Sequence, residues 1–384
     1  MAAASLSFPS YPSPPGGERL REDVRSFLRR DLAQRTLLQR AQSWNGADPS
    51  FSRKLGERGW LGMTWPRRYG GGERSYLERY IVIEELLAAG APVAAHWFAD
   101  RQSGPTLLRF GSETQRQSIL PRIARGECFF CVGMSEPDVG SDLAAVRTKA
   151  TPLDNGYRVS GTKLWTTNAH LAHFMILLAR TSASDKDQRH AGLSQFLVDM
   201  AAPGIQIRPV FIPSGEHHFN EVIFDDVLLP STALLGQEGD GWKQVMSELA
   251  FERSGPERFL SSITLMIELV RVLGGADVSE RAALAIGRLC AHMITLRRMS
   301  QSVAGSLQAG LDPVMEAVIV KDLGAVLEQE IPEIARGLTP AAMSAESELA
   351  AVLAYTMLHA PSFSLRGGAR EILRGIIARG LGLR

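Results

Sequence analysis

The chain has 384 residues, of which 45% are apolar and 22% charged, and its formal net charge is +1. Because one hydrophobic core rarely serves more than about 250–300 residues, we expect two or three domains. The nearly neutral charge argues against a nucleic-acid-binding or membrane-surface protein, and no apolar run approaches the about 18 residues that span a bilayer. Since the N-terminus also lacks the pattern of a secretory signal, we expect a cytoplasmic protein.

The N-terminal part of the chain is predicted to be helical. Residues 1–17 carry four prolines among Ser and Gly, which predicts a loose or extended arm. Apolar residues then recur at three- and four-residue steps, as in one amphipathic helix. These positions are Val24, Phe27, Leu28, Leu32 and Leu38. Further helices are predicted at 74–89, 92–110 and 113–125, so that 18–127 forms a helical domain.

From Cys128 the periodicity changes to short β-type runs bounded by turn residues. The turn at Asp154-Asn155-Gly156 predicts a hairpin between two of them. The predicted strands lie at 146–150, 157–164, 174–179, 193–199, 205–210 and 221–224, with the run at Cys128 before them. This pattern predicts an antiparallel barrel or sandwich over 128–237.

Long helical patterns return in the last part of the chain. They lie at 242–273, 279–309, 313–334 and 345–358, with a final helix from Ala369. Their apolar stripes and short connections predict an antiparallel four-helix bundle over 238–384. The whole chain is thus predicted to be mostly α with a central β domain. It has no P-loop and no G-x-G-x-x-G after a strand, which excludes both of those nucleotide-binding folds.

The cysteines and paired histidines give no convincing metal site. Cys128 and Cys131 form a C-x-x-C pair, but there is no second pair, and both lie in an apolar run. We interpret them as buried thiols on a strand. The pairs His170/His173 and His217/His218 have no accompanying cluster of carboxylates or thiols, so no metal is assigned.

Two motifs of the central region could bind a ligand together. Residues 128–142, CFFCVGMSEPDVGSD, end in a polar loop, where Ser135, Ser141 and the Gly140 amide can approach an anionic or heteroaromatic group. In residues 161–168, GTKLWTTN, Trp165 and Thr167 should point to the same face of a strand. A flat polar ring would fit against them.

In this order and spacing, the two motifs resemble the acyl-CoA dehydrogenase flavoproteins. Four further segments carry the resemblance, which extends over 18–379: LGERGWLGMTWPRRYGGG at 55–72, FGSETQRQSILPRIARGE at 110–127, FNEVIFDDVLLPSTALLGQEGDG at 219–241 and GGAREILRGIIAR at 367–379. The family has a helical domain, a β domain and a helical bundle, in agreement with the predicted elements. The resemblance implies FAD as cofactor and α,β-dehydrogenation of an acyl-CoA thioester to a 2-enoyl-CoA.

Site residues also follow from the resemblance. It implies contacts with FAD from Met134, Ser135, Ser141, Trp165 and Thr167, of which Ser141 would contact the pyrophosphate. Ser141 and Arg253 would contact the substrate. Arg281 matches an arginine that contacts FAD across a subunit interface, although Leu284 and Ala285 depart from the Phe and Gly of that segment. The adenine-binding Gln-x-x-Gly-Gly-x-Gly-Tyr run expected near 344–361 is missing.

The catalytic base is not at the position that many family members use. That position aligns with Gly367, which has no side chain. Glu371, in the last helix, is one alternative. A second group of members takes the base from a Leu-x-x-Glu-Arg segment, which here is Leu249 to Arg253, so Glu252 is the predicted base and Gly367 the predicted oxyanion donor through its N–H.

Two other functions remain open at this point. A dehydrogenase-like subunit that works only beside a related chain would explain the missing base and adenine motif. The same fold could also carry flavin oxidase or monooxygenase chemistry, or bind DNA, which the neutral charge disfavours. The resemblance further implies a homo- or heterotetramer and an acceptor such as an electron-transfer flavoprotein. The acyl group cannot be read; His96, Trp97 and Phe251 are either pocket-lining or ordinary core residues.

Overall fold

The computed structural model describes residues 6–183, 188–274, 278–339 and 347–383, without the side chains of 248–252. By its internal contacts the chain divides into two compact units. The first contains Met1–Gly46, Arg74–Val93 and Ala250–Arg384, and the second contains Ala47–Glu73 and Ala94–Leu249. The three consecutive domains inferred from the sequence stay a prediction.

The regular elements of the chain are thirteen α-helices and eight strands within the described ranges. The helices are α1 (Gly17–Asp31), α2 (Leu37–Gln42), α3 (Pro49–Glu57), α4 (Tyr76–Ala88), α5 (Ala94–Phe98), α6 (Gly104–Phe110), α7 (Glu113–Ala124), α8 (Gly241–Glu252), α9 (Ile263–Leu273), α10 (Glu280–Gln308), α11 (Val314–Leu338), α12 (Glu348–His359) and α13 (Arg370–Gly380). The strands are β1 (Phe130–Gly133), β2 (Lys149–Leu153), β3 (Gly156–Thr167), β4 (Phe174–Arg180), β5 (Leu193–Asp199), β6 (Ile205–Phe211), β7 (His217–Pro230) and β8 (Leu234–Leu235). A mostly helical chain with a central sheet is the predicted fold class, and it is confirmed.

The first unit packs N-terminal helices with C-terminal ones. Helix α4 contacts α1 and α10, while α11 contacts α9, α10, α12 and α13. The arrangement of α1 and α2 corrects one prediction. Leu38 does not continue the stripe of α1, because α1 ends at Asp31 and a capping box of Thr36 and Gln39 starts α2.

The predicted helix over 242–273 is also wrong, since it is two helices. Helix α8 ends at Glu252 and α9 begins at Ile263, with a short 3-10 turn at Pro256–Arg258 between them. Proline lacks the N–H that a helix interior needs and disfavours helical backbone at the preceding Gly255. In the same way, the helix predicted over 92–110 is α5 and α6 separated by a π-helical turn at Ala99–Ser103.

Part of the predicted N-terminal arm packs on the helices of the first unit. Phe8 packs on the core cluster of Val303, Ala317 and Val320. The Tyr11 hydroxyl lies 3.2 Å from Ser306 Oγ. A Cβ at Gly305 would meet the Tyr11 ring at 2.1 Å, so this glycine makes room for the arm on α10.

The second unit is built around one sheet with the strand order β6-β7-β3-β2-β4-β5-β8, and β1 pairs with β4. The sheet is mixed rather than antiparallel as predicted, because β1 runs parallel to β4, with Phe130 opposite Phe174. β2 also touches β4 in parallel at Lys149 and Arg180. The hairpin of β2 and β3 lies between β1 and β4 in the chain, although β1 and β4 pair directly with each other in the sheet. The predicted hairpin turn is confirmed, whereas the strand predicted from Val146 begins only at Lys149.

β1 and β4 are buried on both faces of this sheet. Phe130 and Ile176 belong to a cluster with residues of α6 and α7. Cys131 and Leu177, one residue further along each strand, belong to the cluster on the opposite face. Two-sided burial explains why this part of the sequence is a continuous apolar run instead of an alternating one.

Both cysteines of the C-x-x-C pair are buried free thiols, as predicted. Cys128 is 1% exposed and Cys131 is 0% exposed. Burial raises the pKa of Cys128 to about 11 and raises that of Cys131 further. Thiols protonated at neutral pH are poor nucleophiles and poor metal ligands. Cys290, on α10, is exposed.

None of the helices within the described ranges combines the length and the hydropathy that a membrane span requires.

Candidate active site

A tight loop follows β1 and carries Ser135. Glu136 and Val139 exchange backbone hydrogen bonds of 2.8 and 3.1 Å, which close the loop around Pro137. The N–H of Leu164, on β3, donates to the Ser135 carbonyl oxygen at 2.9 Å. The two sequence motifs predicted to share a site are therefore in direct contact.

Trp165 stands on an irregular part of β3. The pairing of β3 with β7 shifts between Lys163 and Thr166, and Trp165 has a φ of 60°. Left-handed backbone costs a residue with a Cβ about 1–2 kcal/mol. The indole is nevertheless 55% exposed and touches the Phe219 ring edge-on at a centroid distance of 5.7 Å. A strained backbone that presents an exposed aromatic ring points to a binding role rather than to folding.

Thr167 lies two residues further along β3. The intervening Thr166 is 1% exposed, whereas Thr167 is half-buried. The amide nitrogen of Asn220 donates to the Thr166 carbonyl oxygen at 3.0 Å and fixes this end of the strand. Among the residues that the structure describes, neither the Ser135 nor the Thr167 hydroxyl is used in a hydrogen bond. Both remain available to a ligand.

The segment from Gly140 to Asp142 forms an exposed second arm. A Cβ added at Gly140 would have no heavy atom within 4 Å, and Gly140 does not have a positive φ. The fold therefore does not require glycine here, whereas a ligand that approaches the backbone closely would. Asp142 forms an exposed ion pair with Arg189 at 2.7 Å.

These features fit FAD in shape and chemistry. The exposed Trp165 ring offers a surface for an isoalloxazine, and Ser135 and Thr167 offer hydroxyls for a polar ring edge. The open backbone at Gly140 and Ser141 can approach a phosphate. Met134, also predicted to contact the cofactor, packs on a core cluster with Val139 and Trp242.

In the first unit, Gly367 has a distinctive environment. Its φ is 70°, and a Cβ there would lie 3.0 Å from Arg258 Nη1 and 3.1 Å from Arg258 Cζ. Arg253 Nε donates to the Gly367 carbonyl oxygen at 3.1 Å. Two guanidinium groups therefore flank residue 367, where many members of the family that the sequence resembles have a carboxylate.

Arg258 belongs to a buried group of charges that sequence reasoning missed. It is 1% exposed, and its Nε lies 3.8 Å from Glu257 Oε1. Arg366 donates to both carboxylate oxygens of Glu328, at 2.9 and 2.7 Å. The guanidinium groups of Arg258 and Arg366 both lie over the Trp44 ring, at 5.8 and 5.2 Å. Burial lowers the pKa of Arg366, although Glu328 acts in the opposite direction.

The predicted base, Glu252, is the last residue of α8. Its side chain lies outside the part of the chain that the structure describes, as does that of Phe251. The alternative base, Glu371, is exposed in the first turn of α13. Arg253 is 4% exposed.

Arg281, which was predicted to contact FAD across a subunit interface, lies in the first turn of α10 in the first unit. It lines a groove of about 440 Å³ between α10 and α11, together with Arg288, His292, Glu330 and Glu333. Its Nη2 lies 3.5 Å from the Gly337 carbonyl oxygen. Of the segment where the adenine motif is missing, 340–346 lie outside the described residues.

His96 and Trp97 are core residues in the second unit, 3% and 4% exposed. His96 Nδ1 lies 2.9 Å from Ser52 Oγ. Burial lowers the pKa of His96 from 6.5 to about 4, although the charge of Asp100 raises it. His96 is therefore neutral at physiological pH.

The histidines singled out in the sequence make contacts within the protein. The rings of His170 and His217 stack at 4.0 Å, and both approach Asn220 Oδ1, at 3.3 and 2.7 Å. His173 Nδ1 accepts a hydrogen bond from the Phe129 N–H at 3.1 Å.

Comparison with known proteins assigns the fold and its chemistry to one family. Residues 15–127 match the family domain described as acyl-CoA dehydrogenase, N-terminal domain, and residues 131–227 match the acyl-CoA dehydrogenase, middle domain. Among relatives, the chain is 33% identical to acyl-CoA dehydrogenase IpdE1 of Mycolicibacterium smegmatis over 354 residues, which cover 87% of this chain and 88% of the relative. It is also 33% identical over 331 residues to acyl-CoA dehydrogenase FadE34 of Mycobacterium tuberculosis. That match covers 85% of this chain but 45% of the relative.

Solved structures give the same result. The chain aligns with a variant of the Tcur3481-Tcur3483 steroid ACAD at a TM-score of 0.85 and 25% identity, covering 96% of this chain and 98% of the other. It aligns with the ChsE4-ChsE5 complex from Mycobacterium tuberculosis at a TM-score of 0.81 and 28% identity, with coverages of 97% and 98%.

Proposed function

The chain belongs to the family of FAD-dependent acyl-CoA dehydrogenases, and on this premise we propose that it takes its catalytic base from Glu252, at the end of α8. In this proposal Glu252 removes the α-proton of an acyl-CoA thioester. FAD, when bound, would supply the oxidant for the loss of the β-hydrogen. Ser135, Ser141, Trp165 and Thr167 are the residues that would hold it.

The arginines around residue 367 carry this proposal. The residue directly after Glu252, Arg253, donates to the Gly367 carbonyl oxygen at 3.1 Å. The residue next to Glu252 is thus hydrogen-bonded to residue 367, the position at which other members have their base. Arg258 occupies the space into which a side chain of residue 367 would extend. In this proposal, the carboxylate of Glu252 replaces one at residue 367.

Gly367 then has a different role in the proposed mechanism. Its N–H is not used in a backbone hydrogen bond within the described residues, whereas the N–H of Gly368 donates to the Leu365 carbonyl oxygen at 3.2 Å. The free N–H can donate to the thioester carbonyl oxygen as negative charge develops there. The nearby positive charges of Arg253 and Arg258 would also stabilise the negative charge on the carbonyl oxygen.

Stopped-flow reduction of the bound flavin by an acyl-CoA tests the proposal. Glu252→Gln should retain FAD and bind the thioester but reduce flavin about a thousandfold more slowly, the scale of losing a general base. Glu371→Gln is the matched control and should stay within about twofold of wild type, because this exposed residue lies in the first turn of α13. If Glu252→Gln stays within tenfold of wild type, the base lies elsewhere.

A partner-dependent subunit is the second candidate function. One solved structure to which the chain is similar is a complex of two named components, ChsE4 and ChsE5. Arg281 lines an open groove on α10 and α11, and exposed Leu284 and Ile294 lie on α10. We propose that this surface forms a subunit interface of a homo- or heterotetramer and that Arg281 reaches the FAD of a neighbouring subunit.

Light scattering of the purified protein with FAD distinguishes these states. A tetramer with FAD bound and flavin reduction by acyl-CoA supports the homomeric enzyme. A protein that gains FAD and activity only with a second, related chain supports the partner-dependent subunit. A monomer at micromolar concentration with FAD present contradicts the assembly proposal.

We also propose a bulky acyl group as the substrate class, since one of the similar structures is named a steroid ACAD. Assays of straight-chain, branched and steroid-side-chain CoA esters with an artificial electron acceptor test this. Acceptor-independent consumption of oxygen would instead favour flavin oxidase or monooxygenase chemistry. An electron-transfer flavoprotein is the proposed natural acceptor.

A further inference from the structure

A buried ion pair connects the loop that carries Ser135 to β3. Lys163 is 0% exposed, and its Nζ donates to Glu136 Oε1 at 2.9 Å and to the Met134 carbonyl oxygen at 3.0 Å. Met134 and Glu136 are the two neighbours of Ser135 in the chain. One ammonium group thus binds the backbone of the residue before Ser135 and the side chain of the residue after it.

The carboxylate of Glu136 extends this connection to a third segment. It accepts hydrogen bonds from the backbone N–H groups of Arg147 and Thr148, both at 2.8 Å, and from the Thr148 hydroxyl at 2.6 Å. Gly140 and Ser141 lie on the chain between Glu136 and Arg147. Both ends of the segment that contains them are therefore fixed to the same ion pair.

Lys163 also joins these segments to Trp165. It lies on β3, two residues before Trp165, at the point where the pairing of β3 with β7 shifts register. The hydrogen bond from the Leu164 N–H to the Ser135 carbonyl oxygen lies beside it. The chain segments that carry Ser135, Ser141 and Trp165 are therefore all anchored to one buried pair.

We propose that Lys163 and Glu136 are positioning residues, which hold Ser135, Ser141 and Trp165 in the arrangement that binds FAD. The inference rests on the proposed role of those residues. Neither member of the pair needs to touch the cofactor.

The energetics of the pair favour positioning over stability as its purpose. Removing two charges from water is costly, and a buried pair is often no more stabilising than apolar residues of the same size. The pair does, however, fix the local geometry, because its two side chains make five hydrogen bonds. Burial lowers the pKa of Lys163 to about 8 while Glu136 raises it, so the lysine is largely charged at neutral pH. Burial would raise the pKa of Glu136, but the charge of Lys163 and the hydrogen bonds lower it.

Two variants test the positioning role. Lys163→Met leaves the Glu136 carboxylate buried without its cation, so both the unfolding midpoint of the FAD-free protein and the affinity for FAD should fall. The double variant Glu136→Leu with Lys163→Met leaves no unpaired buried charge, but the Arg147 and Thr148 N–H groups lose their acceptor, so its midpoint should also lie below that of wild type. The double variant should still bind FAD about tenfold more weakly, because the hydrogen bonds that shape the loop are lost. Lys149→Met, which changes an exposed lysine on the adjacent strand, is the control.

FAD titration followed by flavin fluorescence gives the affinity, and calorimetry of the FAD-free protein gives the midpoint. A double variant with wild-type affinity overturns the inference. If the wild-type protein itself binds no FAD, the proposed function fails instead.

A second measurement needs no variant and applies even if the variants do not fold. Hydrogen exchange of the FAD-free wild-type protein should show slow exchange at the amides of Arg147, Thr148 and Leu164, and fast exchange at the exposed Gly140. If the amides of Arg147 and Thr148 exchange as fast as that of Gly140, Glu136 does not hold this segment and the inference is wrong.

Discussion

Replacing Gly367 by alanine tests whether Arg258 fills the space beside residue 367. The substitution has two costs. The first is the backbone, because a φ of 70° is left-handed and costs a residue with a Cβ about 1–2 kcal/mol. The second is steric, since the new Cβ would lie 3.0 Å from Arg258 Nη1 and 3.1 Å from its Cζ. Forcing an extra carbon into a packed site typically costs about 1–3 kcal/mol.

Gly310 is the matched control for the backbone cost. It follows α10 with a φ of 75°, and a Cβ there would have no heavy atom within 4 Å. Gly310→Ala should therefore lower the free energy of unfolding by about 1–2 kcal/mol. Gly367→Ala should lower it by about 2–5 kcal/mol, the sum of the backbone and steric costs.

Urea unfolding of both variants, followed by far-ultraviolet circular dichroism, measures the difference. Tryptophan fluorescence is not suitable for following Trp44 near Arg258, because the chain has 6 tryptophans and their signals overlap. If Gly367→Ala is no more destabilising than Gly310→Ala, Arg258 yields without cost. Arg258 then does not exclude a side chain at residue 367.

Three further predictions follow from individual side chains. Because the pKa of His96 is lowered from 6.5 to about 4, its contribution to stability is complete above pH 6.5 and is lost as the pH falls toward 4. Wild type should lose about 3 kcal/mol more than His96→Asn between pH 6.5 and 4, as measured by urea unfolding; equal slopes would contradict this. Trp165→Ala should leave the unfolding midpoint of the FAD-free protein nearly unchanged, since the indole is 55% exposed. It should weaken FAD binding by up to about tenfold in a fluorescence titration, and unchanged affinity would exclude stacking. Adding Gly367→Glu to Glu252→Gln should not restore flavin reduction in stopped flow, because Arg258 would pair with the new carboxylate and lower its pKa; recovery above a tenth of the wild-type rate would refute this.

Local patterns in the sequence predict the helices and hairpins well where their cause is also local. The Asp154-Asn155-Gly156 turn joins β2 and β3 as expected, because its residues favour the required backbone by themselves. Two helix boundaries were missed although the sequence contains residues that mark them. Pro256 marks the end of the first predicted bundle helix, and Asp48 followed by Pro49 marks the start of α3, which was not predicted.

The candidate site contains features that no local pattern predicts. Strict alternation on β3 places Lys163, Trp165 and Thr167 on one face, yet Lys163 is buried and Trp165 is exposed. The register shift between Lys163 and Thr166 separates them, and it depends on the pairing with β7. The approach of Arg258 to Gly367 likewise depends on tertiary packing across more than a hundred residues. The roles assigned to the flavin-binding residues, to Glu252 and to Arg281 stay predictions.

The charges around Ser135 and Ser141 indicate that hydrogen bonds, rather than net positive charge, hold the part of FAD that this subunit itself binds. Arg147 lies 3.4 Å from Asp138, and Arg189 lies 2.7 Å from Asp142, so each of these exposed cations has an acidic partner. The buried Lys163 is likewise paired with a carboxylate. A pyrophosphate bound there would meet backbone N–H groups and hydroxyls, which salt screens far less than exposed charges. FAD affinity should therefore fall by less than about threefold between roughly 0.05 and 0.5 M sodium chloride. A fall of tenfold or more in a fluorescence titration would mean that unpaired cations contribute to binding.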